Sequence, residues 1–352
     1  MSKQIGIPRI VTSRSAVTTT LSILFVACWS SGFIGAKLGA GSAEVPTLLM
    51  WRFLPLAAVL VPIVWLSARR RKTMPTPRAL GRQVVIGILS QSGYLLSVYW
   101  AVDLGVNTGT TALIDGIQPL VAAALLGPVL GVAVPRMQWI GLAIGLAGVA
   151  MVTAADAGAG TSAPWWAYAI PFLGMLSLVA STFVQQRAPA SIPPLQALAI
   201  HCSTSAIVFT TLAIASGAAV PPSVGTFWIA LLWLIVLSTF GGYGLYWLLL
   251  RRIGITSVNT LMFLIAPVTA VWGALMFGES FTPFTALGLA VGIVAVVVVT
   301  RVDNRPKEAG REHGFLPGKS SDHVALTKPD RDVNRSRSAV ICSAVSLSPL
   351  IA

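Results

Sequence analysis

YWAVDLGVNTGTTALIDGIQP (residues 99–119) and YWLLLRRIGITSVNTLMFLIAP (residues 246–267) are two copies of one passage. Tyr99-Trp100, Gly105 and Pro119 in the first return as Tyr246-Trp247, Gly254 and Pro267 in the second, and downstream Gly141 and Gly145 return as Gly288 and Gly292, a displacement of 147 to 149 positions throughout. Each copy lies within a string of long apolar segments, so the duplication describes a membrane architecture, not a soluble solenoid. An internally duplicated helical bundle is the usual build of a secondary transporter, because two similar halves can rock about a site between them.

Composition agrees. Of 352 residues 55% are hydrophobic and 10% charged, with a mean hydropathy of +0.81, whereas a soluble domain carries about 25% charge. Cys28, Cys202 and Cys342 are far apart and match no metal or disulfide spacing. No cofactor or metal is expected.

Runs near the ~20 residues that cross a hydrocarbon layer fall at 16–37, 46–67, 84–104, 108–130, 137–154, 165–186, 194–216, 225–249, 255–277 and 282–300. The expected fold class is therefore all-α: a polytopic membrane protein of ten transmembrane helices. Residues 16–154 form the first five-helix repeat and 165–301 the second, between an N-terminal segment 1–15 and a polar tail 302–352. Because five is odd, the second repeat enters the membrane from the opposite side, and the repeats are inverted.

Charge gives an independent argument. With both termini in the cytoplasm of a cell whose inner membrane the chain spans, every one of the 24 Lys and Arg residues except Lys37 and Arg52 falls on the inner side, while Glu44, Asp103, Asp156 and Glu279 mark the outer loops. The net charge of +13 is thus a record of topology. A nucleic-acid partner would need a solvated basic face that the chain lacks. The basic start before Leu21–Trp29 imitates a signal peptide, but removing it would leave nine helices and spoil the alternation, so retention is expected. The tail is expected to be disordered. Its Gly314–Ser320 run imitates a phosphate loop but lacks the spacing, the preceding strand and the following helix, which removes ATP-driven transport.

Several ordered motifs carry a resemblance. They are Trp29-Ser-Ser-Gly-Phe33 with Lys37 ending the first helix, Pro46 to Arg52-Phe53 opening the second, Ala112-Leu-Ile with Gln118-Pro119-Leu120 in the fourth, and Gly278-Glu279 after the ninth. Together with the glycine-rich fifth and tenth helices they resemble EamA-type members of the drug/metabolite transporter superfamily over residues 20–301. The resemblance implies a ten-helix inner-membrane carrier, commonly an exporter of amino acids or other small metabolites, and places Trp29, Phe33, Tyr94, Trp100, Phe183, Trp247 and Phe263 on helices around a cavity.

Pro119 and Pro267 fall mid-helix at matched positions; each removes a backbone donor and kinks its helix, which suits a flexing pathway wall. Gly141, Gly145 and Gly148, with Gly288 and Gly292, make small-residue faces that serve close packing inside the bundle or a homodimer contact. Ionisable residues inside the layer cost about 2.5–3.5 kcal/mol and mark cavities or partners. Arg52 lies roughly 9 Å and Asp115 roughly 10 Å inside their helices at 1.5 Å per residue, so these two and Lys37 are candidates for one cluster. Asp115 is either a substrate or proton site or half of a structural ion pair with Arg52 or Lys37. By the repeat its counterpart is Phe263, and an acid there departs from the EamA pattern. In the inner half Lys37 corresponds to Arg187, beside Gln185 and Gln186, and Arg52 to the region of His201. Trp65, Trp139, Trp165, Trp166 and Trp228 read as interfacial anchors.

The expected substrate pathway is Trp29, Phe33, Lys37, Arg52, Asp115, Pro119, Gln186, His201 and Pro267, in a carrier that moves a small-molecule substrate outward across the bilayer. A passive channel or lipid flippase would use the same fold. An intramembrane hydrolase would need paired acids, a Ser-His arrangement or metal ligands, and the bundle offers His201 and Asp115 without HExxH or GxSxG.

Overall fold

In a computed structural model, which describes residues 9–130, 136–187 and 192–303, every described element is a helix. Numbered in chain order they are α1 (Arg9–Gly39), α2 (Val45–Arg71), α3 (Pro77–Asp103), α4 in two pieces (Thr108–Gly116 and Gln118–Leu130), α5 (Arg136–Gly158), α6 (Ala169–Gln186), α7 (Pro194–Ala215), α8 (Gly225–Gly254), α9 (Ser257–Phe277) and α10 (Pro283–Asp303). Eight of these, all but α4 and α10, meet the length and hydropathy needed to cross a membrane; α4 is broken, and the described apolar run of α10 is Pro283–Ala295. The expected tail lies outside the described residues apart from its first two positions.

The sequence expectation starts α3 at residue 84, but the helix begins at Pro77, where Thr76 accepts a hydrogen bond from the Ala79 N–H at 3.3 Å and proline needs no donor. Arg78 and Arg82 lie on this polar first part, which a hydropathy window assigns to a loop.

Contacts obey the duplication. In order, α1 to α5 correspond to α6 to α10; α2 packs on α7, α4 on α9 and α5 on α10, while α1 on α8 is the counterpart of α6 on α3. That is the pairing of a pseudo-two-fold axis. Gly105 and Gly254, matched in the repeat, turn the chain from α3 to α4 and from α8 to α9 with φ of 101° and 77°, backbone that costs glycine little and other residues much. At the α5–α10 crossing a Cβ on Gly148 would lie 2.8 Å from the Gly288 carbonyl oxygen, and one on Gly288 the same distance from the Gly148 oxygen. Gly148 and Gly288 of these small-residue faces therefore serve a close contact within the chain.

The bundle is apolar outside as well as inside: Leu275, Ile207 and Ile23 are 82%, 68% and 64% exposed. Such a surface fits lipid, not water. Trp65, Trp139, Trp165, Trp166 and Trp228 are all exposed, and the Arg69 guanidinium stands 4.5 Å from the Trp65 ring centroid.

Two stretches are wound as wide π turns: Ile88–Gly93 in α3 and Leu234–Tyr243 in α8, each just before its Tyr-Trp pair. They are matched by the repeat, and π turns inside α-helices gather at functional sites because they re-aim the side chains beyond them.

Candidate functional site

Between the halves lies a cavity of about 140 Å³, against the roughly 10–15 Å³ that one water needs on the same measure. Trp29, Gly32 and Phe33 of α1 form one wall; Arg52 of α2 and Tyr94, Val98 and Tyr99 of α3 form another. Asp115, Gly116, Gln118 and Pro119 enter from α4, and Ser238, Tyr243, Asn259, Met262 and Phe263 from the second repeat.

The broken helices supply the α4 and α9 residues. Proline at 119 cannot donate to the carbonyl of Asp115, nor proline at 267 to that of Phe263. The first piece of α4 accordingly ends at Gly116, and α9 breaks at Phe263 and Leu264 before resuming at Ile265. Pro119 lines the cavity; Pro267, expected in the pathway, does not, although Phe263 and Ile265 near it in sequence do.

Arg52 is 4% exposed. Its Nη1 donates to the Tyr99 hydroxyl at 2.6 Å, and its Nη2 to Thr239 Oγ1 at 3.1 Å and Ser238 Oγ at 3.3 Å. Both latter hydroxyls belong to the π turn of α8, and Thr239 Oγ1 itself donates to the Leu234 carbonyl five residues back at 3.1 Å, as the wide winding permits. A buried cation thereby joins the two repeats through neutral hydroxyls. The matched contact, α7 on the π turn of α3, is uncharged: Ser205 Oγ meets Gln91 Oε1 and Ser92 Oγ, each at 3.2 Å.

Asp115 Oδ2 accepts a hydrogen bond from the Tyr94 hydroxyl at 2.8 Å. The three-residue cluster envisaged from sequence is not assembled. Among the described residues one ion pair lies within 4.0 Å, Lys37 Nζ with Glu279 Oε1 at 3.7 Å, so Asp115 is not ion-paired with Arg52 or Lys37. Its partner is a tyrosine on the neighbouring helix.

Lys37 belongs to a different construction at the end of the bundle. Both Glu279 oxygens accept from the Thr108 N–H at 3.1 and 3.0 Å, and Oε2 also from Thr108 Oγ1 at 2.7 Å. Asp156 Oδ2 accepts from the Asn107 N–H at 3.2 Å and Thr110 Oγ1 at 2.8 Å. Two carboxylates thus sit on the N-terminus of α4, where the helix dipole and free N–H groups favour negative charge. Asp156 is 2% exposed. Sequence reading places Asp156 and Glu279 in outer loops as topological markers; they are buried caps that tie α4, α5, α9 and α1 together.

His201 is buried away from the cavity, its Nε2 2.8 Å from Gln83 Oε1, and Gln83 Nε2 donates to Gln185 Oε1 at 3.4 Å. Gln186 ends α6 beside this group, and its side chain lies outside those described. Of the aromatics assigned by resemblance, Trp29, Phe33, Tyr94 and Phe263 line the cavity, while Trp100 faces outward at 49% exposure. In the sequence Tyr99 serves as a repeat marker alone, and Ser238, Thr239 and Tyr243 carry no assignment. The signal that could have found them is the hydroxyl-rich Ser238–Tyr243 run preceding the second Tyr-Trp pair.

The chain resembles known proteins over most of its length. The sequence profile of the EamA-like transporter family matches twice, over residues 18–154 and 165–301. A relative from Escherichia coli (strain K12), named "Uncharacterized inner membrane transporter YedA", is 25% identical over 274 residues, 77% of this chain and 87% of that one. A "Probable terminal-alkyne amino-acid exporter" of Streptantibioticus cattleyicolor is 25% identical over 308 residues, 84% of this chain and 96% of that one. A solved crystal structure superposes with a TM-score of 0.53 at 20% identity, over 82% of this chain and 97% of its own, which is a likeness of fold.

Proposed function

This chain belongs to the EamA-like transporter family, and on that premise we propose that it is a secondary carrier which exports small amino-acid-like metabolites by alternating access through the Arg52–Asp115 cavity. The observation that carries the reading is a largely apolar, aromatic-walled cavity that holds Arg52 and Asp115 between two pseudo-symmetric repeats, with wall residues drawn from both. Transporters of duplicated build bind substrate at that place, near discontinuous helices, and exchange access by rocking one half on the other. Breaks at matched positions in α4 and α9 supply points about which the wall can bend. The carboxylate-capped end joining Lys37, Thr108, Asp156 and Glu279 then acts as the outer closure, which must part for release. Both termini lie in the cytoplasm of an inner-membrane protein in this account, as the distribution of Lys and Arg supports. The amino-acid exporter among the relatives agrees with the substrate class. A family of transporters offers no precedent for the hydrolase alternative.

Proteoliposomes test the proposal with radiolabelled l-phenylalanine, l-threonine, l-lysine and l-glutamate. A carrier shows saturable uptake of at least one compound, accelerated by unlabelled compound on the far side. Linear, non-saturating flux without exchange would identify a channel instead, and movement of labelled phospholipid alone would identify a flippase.

A further inference from the structure

Among the described residues Asp115 is the one acid lining the cavity, and the second repeat places Phe263 at its position. The duplicated architecture therefore builds this wall without a carboxylate. The Tyr94 hydroxyl holds Oδ2 at 2.8 Å, while Oδ1 is shut off from solvent and has no hydrogen-bond partner. Three further buried side-chain atoms of the wall are likewise unpartnered, Arg52 Nε, Gln118 Nε2 and the Tyr243 hydroxyl. Buried polar groups are seldom left this way, since each costs roughly 1–3 kcal/mol. The four describe a complement: one acceptor bearing negative charge, two donors, one of them a cation, and a hydroxyl that serves as either.

We propose that Asp115, oriented by Tyr94, is the specificity-determining residue that recognises a protonated amine on the substrate. The ammonium pairs with the Asp115 carboxylate, and the aromatic rings of Trp29, Phe33 and Tyr243 around the cavity favour a cation further. Arg52 faces the same space, so a ligand with positive charge alone is repelled by it. A ligand that also carries an acid group, held by the Arg52 and Gln118 side chains, answers both signs of charge on the wall. The ligand class is a zwitterion with an apolar body. This rests on the cavity being the substrate site, and a binding measurement separates the two claims.

The test compares l-phenylalanine with 3-phenylpropanoate, the same body and acid without the amine, and phenethylamine, which lacks the acid. Dissociation constants are read from quenching of tryptophan fluorescence in purified full-length protein in nanodiscs, with NaCl and KCl compared as controls. The wild type is expected to bind the zwitterion at least tenfold more tightly than 3-phenylpropanoate. In Asp115→Asn that ratio falls to about twofold or less. Tyr94→Phe, which frees the carboxylate from its holder, lowers the ratio part way, and circular dichroism confirms folding of each variant. A wild-type ratio near one overturns the inference, as does an undiminished ratio in Asp115→Asn, failure of the wild type to bind any of the three, or a signal produced by sodium without an amine. The expected ratios without saturable flux would uphold the amine site and remove the carrier reading instead.

Discussion

Replacing Glu279 with alanine removes one carboxylate and strands two donors. The Thr108 N–H and Thr108 Oγ1 both give their hydrogen bonds to Glu279, whose side chain is 5% exposed, and the partner Lys37 is 24% exposed. A hydrogen bond to a charged group contributes about 1.5–3 kcal/mol, so losing two costs about 3–5 kcal/mol once some water entry is allowed for. The Lys37 pair is partly solvated at 3.7 Å, and such pairs contribute about 0–1 kcal/mol. The ordering follows: Glu279→Ala is the most damaging, Glu279→Gln, which retains one acceptor, comes next, and Lys37→Met is near neutral. Melting followed by tryptophan fluorescence in detergent, at one heating rate for every variant, reads the order. At about 2 °C per kcal/mol, Glu279→Ala melts about 6–10 °C below wild type and Lys37→Met within about 2 °C. Equal losses in Glu279→Ala and Lys37→Met would show that the ion pair, and not the helix cap, holds this end together.

Pro119→Ala and Pro267→Ala each restore a helix donor beside a break in the cavity wall; transport slows severalfold in both while the amount of inserted protein stays at the wild-type level, and unchanged turnover in both would return the prolines to passive kinks. A cytoplasm-specific reporter is active when fused at Lys72 or Arg252 and silent at Gly160 or Gly217, and activity at Gly160 would overturn the inverted topology. Gly148→Leu forces side-chain atoms against the Gly288 carbonyl, where a Cβ alone would come to 2.8 Å; overpacking of this kind costs about 1–3 kcal/mol and lowers the melting temperature, whereas Gly81→Ala, where an added Cβ meets nothing within 4 Å, changes it far less.

Local physics explains what could be read from the chain alone. Apolar length marks the spans, and Gly105 and Gly254 stand out as repeat markers at positions where positive φ excludes most other residues. Prolines announce breaks because a missing N–H acts at a known distance along the helix. Pairing is another matter. Glu279 meets Thr108 across 171 positions of sequence, and Arg52 meets Thr239 across 187. No pattern along one strand of text encodes which of several hydroxyls or carboxylates a buried cation will choose. Depth did place Arg52 and Asp115 at one cavity, but depth carries no azimuth, so the ion pair it suggested gave way to separate partners, Tyr99 and Tyr94. Asp156 and Glu279 looked like loop charges because a helix N-terminus from elsewhere in the chain, which neutralises the cost of burying them, is invisible to hydropathy. The π turns escaped for a similar reason: an extra residue per turn leaves composition unchanged.

Gly116 offers the most direct test of the claim that this cavity is the transport path. It lines the cavity, and a Cβ built on it meets nothing within 4 Å, so Gly116→Met extends into the open space without displacing a packed neighbour. Counter-exchange of the best substrate from the amino-acid panel is measured in proteoliposomes holding equal amounts of wild-type or variant protein. The account predicts saturable, trans-stimulated exchange in the wild type and a loss of tenfold or more in Gly116→Met at an unchanged melting temperature. Wild-type exchange through the filled cavity would contradict it and place the substrate's route elsewhere in the bundle.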